Sequence, residues 1–276
     1  MPELPDVELF HRLVVEHCRG NVIERAIVSD AGILENISAE ALARRVNGAR
    51  IQSAERHGKH LFLILSGVGA LAMHFGTNGS LQFVASGSAD PAYTRLKLQF
   101  AGGNGLAYVN PRRIGRVLLS ESVKAFITQA ELGPDALDPA FDRAAFAKIL
   151  AESKRDIKAV LMDQTLMAGI GNIYADEILF QARLNPAAKA AGLDRNSAAD
   201  LFASMQKTLN TAVRCHAGSE HAVENLPKSF LLRERHRGGH CPHCHATLAT
   251  VKHAGRTGYY CPNCQPKLNV RQKSGR

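Results

Sequence analysis

The sequence predicts an α+β chain of several domains: an N-terminal β-sandwich led by one helix, a helical domain, and a small C-terminal hairpin stapled by metal. Three observations carry this. Apolar residues recur mostly with a period of two from Val22 to Ser120, with short glycine-rich turns between them. Beyond a Pro/Asp-rich stretch, "LGPDALDPAF" (132–141), the period becomes helical. Four of the six cysteines then fall among the last 49 residues. At 276 residues and 45 % hydrophobic content, the chain is long enough to build more than one core.

The elements follow in order. The opening, "MPELPDVELF", leads into a helix whose apolar face is Val7, Phe10 and Val14 and whose stop is Gly20. Its second residue has two readings. Proline pre-sets the backbone for a first helical turn, with Glu3 placed well at a helix N-terminus. Alternatively, removal of Met1 frees the secondary amine of Pro2 as a nucleophile. The stretches "HLFLIL", "ALAMHF", "SLQFV", "RLKLQF" and "LAYVN" read as strands, and "SGVG", "TNGS" and "AGGNG" as hairpin turns. "AGGNG" is not a phosphate loop, because strands flank it on both sides. A short helix from Ser38 to Val46 interrupts the strands, and their number and short turns predict a sandwich.

After the linker, helices are expected at about 139–152, 155–163, 173–184 and 195–216, then a loop-like stretch (217–235), a cysteine hairpin and a basic tail expected to be disordered. The domains read as 1–131, a linker with the first helix of the second domain (132–150), 151–225, a basic loop with the hairpin (226–266) and the tail (267–276). "GIGN" precedes the third of these helices. Gly169 and Gly171 allow backbone N–H groups to approach an anion closely, the helix N-terminus adds its dipole, and Asn172 offers a cap or an amide donor. No strand precedes these glycines, which excludes a dinucleotide fingerprint.

Cys241, Cys244, Cys261 and Cys264 form C-x2-C-x16-C-x2-C, four thiolates for one tetrahedral structural zinc. Cys18 and Cys215 lie in helical patterns as buried thiols. The formal charge of +9 resides in residues 228–276, which hold ten Lys/Arg against Glu234, while the first 227 residues balance. Such a concentrated excess predicts a polyanion partner, most simply nucleic acid, against the plainer reading of a solubilising tail. The longest unbroken apolar run, Leu61 to Leu65, is too short to cross a membrane, and no secretory leader is evident, so a cytosolic protein is expected. Lys59 at the start of a strand, Arg256 between Gly255 and Gly258 at a hairpin tip, and "NPRRIGR" (110–116) put basic loops on both halves of the chain.

The P-E-L-P start, "GK" before a strand, "HFGTNGSL", "NPRRIG", "DQTLMAGIGNIYADEILF" and a four-cysteine finger with "GR" in its hairpin occur here in one order. Together they resemble the formamidopyrimidine-DNA glycosylase / endonuclease VIII family, closer to the formamidopyrimidine branch, over nearly the whole chain to about residue 265. The resemblance implies a β-sandwich, a helix–two-turn–helix domain and a zinc finger, with double-stranded DNA carrying damaged bases or abasic sites held between them by a monomer. It implies a base-excision glycosylase and AP lyase. Pro2 attacks C1′ and expels the base, and the resulting iminium drives elimination of the 3′ phosphate and, in a second step, the 5′ phosphate. An α-amine titrates near ~8 against ~10 for lysine, and a secondary amine yields an iminium that is cationic without a proton. On the same resemblance Glu3 is the acid/base, Lys59 holds phosphate near the lesion, and Asn172 and Arg256 clamp the flanking phosphates. Gly169, Gly171 and Lys158 are DNA contacts, and Asp6 is a candidate proton relay.

The sequence departs from that pattern in four places. The second acid of the opening is Asp6, where the family has glutamate. The void-filling methionine, arginine and phenylalanine correspond to Thr77, Arg112 and Ile114. The stretch before the finger, "ENLPKSFLLRERHRGG", lacks a glycine-rich lesion-capping loop. These departures predict weak selection for 8-oxoguanine and a preference for more distorted substrates. They also suit two rivals: a damaged-DNA binder of this fold with little turnover, and a zinc-bearing nucleic-acid module of another role. The set Pro2, Glu3, Lys59, Asn172 and Arg256 favours the enzyme.

Overall fold

The computed structural model describes residues 1–253 and 255–267. The basic tail expected to be disordered lies, apart from Lys267, outside them. The leading helix α1 (Leu4–His17) is followed by strand β1 (Ile23–Val28), helix α2 (Ala39–Val46, capped by the Ser38 hydroxyl) and strands β2 (Ile51–His57), β3 (His60–Leu65), β4 (Gly69–His74), β5 (Ser80–Val84), β6 (Thr94–Phe100), β7 (Gly105–Val109) and β8 (Arg116–Ser120). Two four-stranded antiparallel sheets result, β1-β6-β7-β5 and β2-β3-β4-β8. The expected sandwich is correct, and the five quoted segments are all strands. The quoted segments do not include β1, β2 and β8, edge strands that each bury no more than two residues, so "IERAIV", "IQSAERH" and "RVLLS" carry a weaker apolar signal than a central strand does. Leu61, Leu63, Leu71 and Met73 from one sheet meet Leu96, Leu98, Leu106 and Tyr108 from the other in one core.

Helix α3 (Val123–Gln129), which the sequence reading left unassigned, covers the outer face of the second sheet. Its Ser122 cap accepts from Ala125 N–H, and Phe126 meets Phe62 edge-on with ring centroids 5.2 Å apart. The helical domain consists of α4 (Arg143–Ala151), α5 (Ile157–Met162), α6 (Asn172–Gln181) and α7 (Arg195–Arg214). Its first helix begins at 143, not 139, because Asp142 is the cap and accepts from Ala145 N–H. Between α5 and α6 the chain makes two tight turns. Asp163 accepts from Arg155 and from the N–H and hydroxyl of Thr165, while Gln164 bridges them by donating to Ile170 O and accepting from Gly169 N–H.

What positions the site is the seam between the domains, and α1 is part of both. Leu4 lies in the helical-domain core, while Val7 and Val14 lie in the sandwich core, all three with no exposed surface. The linker is clamped alongside. Asp135 takes the Arg56 guanidinium, Gly58 N–H (2.6 Å) and Leu137 N–H (2.9 Å), and Arg56 also donates to Glu8 (2.9 Å). Against the opposing effect of burial, hydrogen bonds from His11 and Arg56 hold the Glu8 carboxyl down at about 2.

The stretch at 217–235 is not a free loop. Leu226, Phe230 and Leu232 pack into the helical core and Leu231 against the cysteine cluster, so the chain crosses from domain to hairpin as a buried strap. The hairpin itself is β9 (Ala249–His253) and β10 (Arg256–Tyr260).

Candidate active site

The N-terminus ends at the seam, and α6 decides how. Leu4 N–H donates to Gly169 O (3.0 Å), drawing residues 2–4 against the turn before α6. The buried Glu3 carboxylate then accepts from Gly171 N–H (2.8 Å), Ile173 N–H (2.9 Å) and Tyr174 N–H (3.0 Å), groups that a helix start leaves without intrahelical partners. This corrects the reading of "GIGN". The anion received by Gly171 is Glu3, and Gly169 N–H is spent on Gln164, so neither glycine offers its N–H to a phosphate. The glycines are needed for approach: a Cβ on Gly171 would lie 2.3 Å from Glu3 Oε1, and one on Gly169 would lie 2.5 Å from Leu4 Cδ1.

Pro2 is buried at this point, its nitrogen joined to the Met1 carbonyl. Asp6, one turn into α1, is a brace. Its carboxylate accepts from Glu3 N–H (2.8 Å) and from Ser219 N–H (2.9 Å), and burial pushes its pKa up despite those bonds. The shorter acid reaches Ser219 because Gly218 lets it in: a Cβ there would lie 2.0 Å from Asp6 Oδ1.

A cleft of about 360 Å³ opens above Glu3. Thr77, Asn78 and Arg112 line it from the sandwich, Asn172, Arg235 and Arg256 from the other domain and the hairpin, and Met1 and Glu220 complete the lining. The Thr77 hydroxyl is buried there without a partner. Ile114, on the same loop as Arg112, is 45 % exposed. The sequence reading missed what holds these loops together. Asn110, 1 % exposed, donates to Phe75 O (3.0 Å) and accepts from Ile114 N–H (3.1 Å), tying the 75–79 loop to the 110–115 loop. Its place at the head of "NPRRIG" was the available signal.

The opposite wall depends on buried charge. Asp176 on α6 accepts from Lys158 Nζ (2.6 Å), Arg235 Nε (2.9 Å) and Tyr259 N–H (2.9 Å), and Asn172 Nδ2 donates to Thr257 O (2.9 Å). The zinc hairpin is thereby docked on α6 with Arg256 exposed at the cleft. Lys158 is a correction. It has no exposed surface, so its ammonium, which burial shifts down against the pull of Asp176, staples the hairpin and touches no DNA. Gly258 makes room, since a Cβ would lie 1.9 Å from Lys158 Nζ. Asn172, too, has its amide engaged with the hairpin, and its Oδ1 is buried with no partner. Lys59 is 6 % exposed at the β2–β3 turn. Burial lowers its pKa, the charge of Glu3 opposes that, and Arg256 adds to it.

The four predicted cysteines meet. Their sulfur atoms lie within 4.8 Å of one another, with Cys244–Cys261 at 3.5 Å and Cys241–Cys264 at 3.7 Å. Zinc–sulfur bonds of about 2.3 Å in a tetrahedron require edges of about 3.8 Å, so the set fits one structural zinc. His243 stacks on Phe180 (5.0 Å) and is not needed as a ligand. Among the described residues no helix is long and apolar enough to cross a membrane.

Residues 1–117 match the formamidopyrimidine-DNA glycosylase N-terminal domain, 132–223 the formamidopyrimidine-DNA glycosylase H2TH domain, and 238–267 the zinc finger found in FPG and IleRS. A formamidopyrimidine-DNA glycosylase of Moorella thermoacetica is 38 % identical over 98 % of this chain and 95 % of its own length. One of Carboxydothermus hydrogenoformans is 34 % identical over 96 % and 100 %. Among solved structures, the Lactococcus lactis enzyme bound non-covalently to DNA containing an AP site superposes with a TM-score of 0.85 at 27 % identity, covering 96 % of this chain and all of the other. Its complex with DNA containing FAPY-dG gives 0.86 at 27 % identity with the same coverage.

Proposed function

The chain belongs to the formamidopyrimidine-DNA glycosylase family, and we propose that it is a base-excision DNA glycosylase with AP lyase activity whose nucleophile is the amine of Pro2. Its substrate is duplex DNA with a ring-opened or oxidised base or an abasic site, as in the DNA held by the Lactococcus lactis structures. The observation that carries this reading is the placement of residues 2–3. Glu3 is locked onto the first turn of α6 by three backbone N–H groups, and Met1 and Glu3, on either side of the Pro2 nitrogen, both line a cleft walled by Arg112, Arg235 and Arg256.

Removal of Met1 converts the Pro2 amide nitrogen into a secondary amine. That amine adds to C1′ as the base departs and loses its proton, the C1′–O4′ bond then breaks as O4′ takes up a proton, and the iminium so formed is the electron sink for elimination at C3′. Glu3 Oε1 accepts only one backbone bond and so retains room to take or give a proton beside the amine. Lys59, Asn172 and Arg256 face the phosphates around the flipped nucleotide. Arg112 stands in for the missing stack at the partner base, with Thr77 and Ile114 at its sides. Zinc holds the hairpin that carries Arg256 and takes no part in bond making. The protein acts as a monomer, since a single chain completes the cleft, and in the cytosol with the nucleoid, as suits a repair enzyme whose similar relatives are bacterial.

The strap at 226–235 packs Leu226, Phe230 and Leu232 into the helical core and Leu231 against the cysteine cluster, and Arg235 at its end lines the cleft wall. That supports weak capping of a lesion and hence modest selection for 8-oxoguanine. One experiment tests both statements. Protein lacking Met1 is reduced with borohydride on duplexes containing an abasic site, a formamidopyrimidine or 8-oxoguanine opposite cytosine. A covalent adduct with the first two, and a weaker one with the third, is expected. No adduct with any of them overturns the nucleophile, and a strong preference for 8-oxoguanine overturns the specificity.

A further inference from the structure

We propose that Glu220 is the base that removes the C2′ proton in the elimination step, with Ser219 donating a hydrogen bond to the sugar's O4′ beside it. This rests on Pro2 as nucleophile and adds to it the group that cleaves the strand.

The Met1 acyl group shows where the sugar sits. In the structure the Pro2 nitrogen is bonded to a planar carbon that carries an oxygen on one side and a carbon on the other. In the aminal formed as the base departs C1′ takes that place, a carbon on the same nitrogen whose other heavy-atom neighbours are O4′ and C2′; protonation of O4′ then opens the ring and leaves the iminium. The Met1 carbonyl carbon therefore stands in for C1′, its oxygen for O4′, and its Cα for C2′. The Ser219 hydroxyl donates to that oxygen at 3.0 Å. The substituent on the Cα is the Met1 ammonium, and Glu220 Oε1 lies 3.4 Å from it. A carboxylate so placed faces the substituents of C2′, and hydrogen is the one that must leave.

The choice of acid follows from occupancy. Glu3 and Glu220 are the two carboxylates lining the cleft among the described residues. Glu3 is held by three backbone N–H groups, whereas Glu220 is 53 % exposed and paired only with the terminal ammonium that processing removes. The segment that carries Glu220 is nevertheless held in place. Asp6 takes Ser219 N–H, the Tyr174 hydroxyl donates to Ala217 O (3.3 Å) and Gly218 O (3.2 Å), and Gly218 N–H donates to His221 O (2.9 Å). In this chain Asp6 reaches Ser219 directly, so the brace from α1 ties the segment that carries the base to the helix that follows the nucleophile.

The step balances without a further reactant. The C2′–H bond breaks and its proton passes to Glu220. The electron pair becomes the C2′=C3′ bond, conjugated with the iminium, as the C3′–O3′ bond breaks and the phosphate leaves with its electrons. Water then releases the sugar fragment from Pro2, and Glu220 returns its proton to solvent.

The test separates two readouts on one abasic duplex with Met1-free protein: the borohydride-trapped adduct and scission 3′ to the site. In Glu220→Gln, scission is expected to slow by about a hundredfold, the ordinary worth of a positioned general base, while trapping changes by less than about threefold. Glu220→Asp recovers part of the loss, and deuterium at C2′ slows scission in both variants. Ser219→Ala lowers trapping. Scission unchanged in Glu220→Gln, or scission and trapping falling together, overturns the assignment. A wild-type protein that forms no adduct overturns Pro2 itself, a result distinguishable because it appears before any variant is made.

Discussion

Asp176 and Glu177 are neighbours on α6, equally buried and built from the same functional group, yet they are answered differently. Asp176 meets two cations, Lys158 and Arg235, and through them holds the zinc hairpin. Glu177 meets only neutral donors, Leu232 N–H (2.8 Å) and the Gln181 amide (2.7 Å), and through them holds the strap. Burial without a cation raises the Glu177 carboxyl to about 7. One helix thus anchors its two appendages by opposite electrostatic means. The strap's anchor weakens as pH rises, because an ionised Glu177 has no countercharge, while the hairpin's anchor depends on keeping every member of a buried cluster.

Removing the Asp176 carboxylate should break this contrast most sharply. Asp176→Ala leaves Lys158, which has no exposed surface, as an unpaired buried cation, and about 3–5 kcal/mol of stability should be lost. Differential unfolding should register the loss, and zinc retention should fall with it as the hairpin detaches. Unfolding energies near those of the wild type would show that the ion cluster does not hold the hairpin.

Next in size is the pH dependence carried by Glu177. Its folded pKa is raised from 4.5 to about 7, so the folded state binds the extra proton. Its contribution is complete below pH 4.5, is lost as pH rises towards 7, and amounts to about 3 kcal/mol at most, by 1.36 kcal/mol per pKa unit. Glu177→Gln should flatten this slope in urea titrations between pH 4.5 and 8. An unchanged slope would assign it to other groups. Smallest is Gln181→Ala, which removes one neutral bond to Glu177 and one to Ser229 O for about 1 kcal/mol. It should also shift the wild-type slope to higher pH, because the amide is among the bonds that hold the carboxyl down.

The motif "DQTLMAGIGNIYADEILF" shows how far sequence reading reaches. It located the turn–helix element correctly, yet most of its polar members serve the protein itself. Asp163 and Gln164 knit the two turns, Gly171 receives Glu3, Tyr174 holds the segment at 217–218, and Asp176 and Glu177 hold the hairpin and strap. The family resemblance implies DNA contacts at Lys158 and the two glycines, and a cation and free N–H groups are apt for phosphate. An internal carboxylate satisfies the same chemistry, and sequence spacing does not distinguish the two. Asp6 is a candidate relay by its place in the opening, and its service as a brace depends on Gly218, 212 positions away along the chain.

The chain alone determined what depends on local pattern. The period of two and the edge between β and α regions follow from alternation, and the thiolate quartet follows from two C-x2-C knuckles that each bring two ligands to one metal. The candidate nucleophile at Pro2 came from the family resemblance, because a proline behind the initiator methionine serves equally well to start a helical turn. The tertiary structure decided which acids are occupied and which are free. Glu3, Asp176, Glu177 and Glu220 have the same carboxyl group, and only the donors that folding brings to each of them divide helix cap, staple, anchor and base.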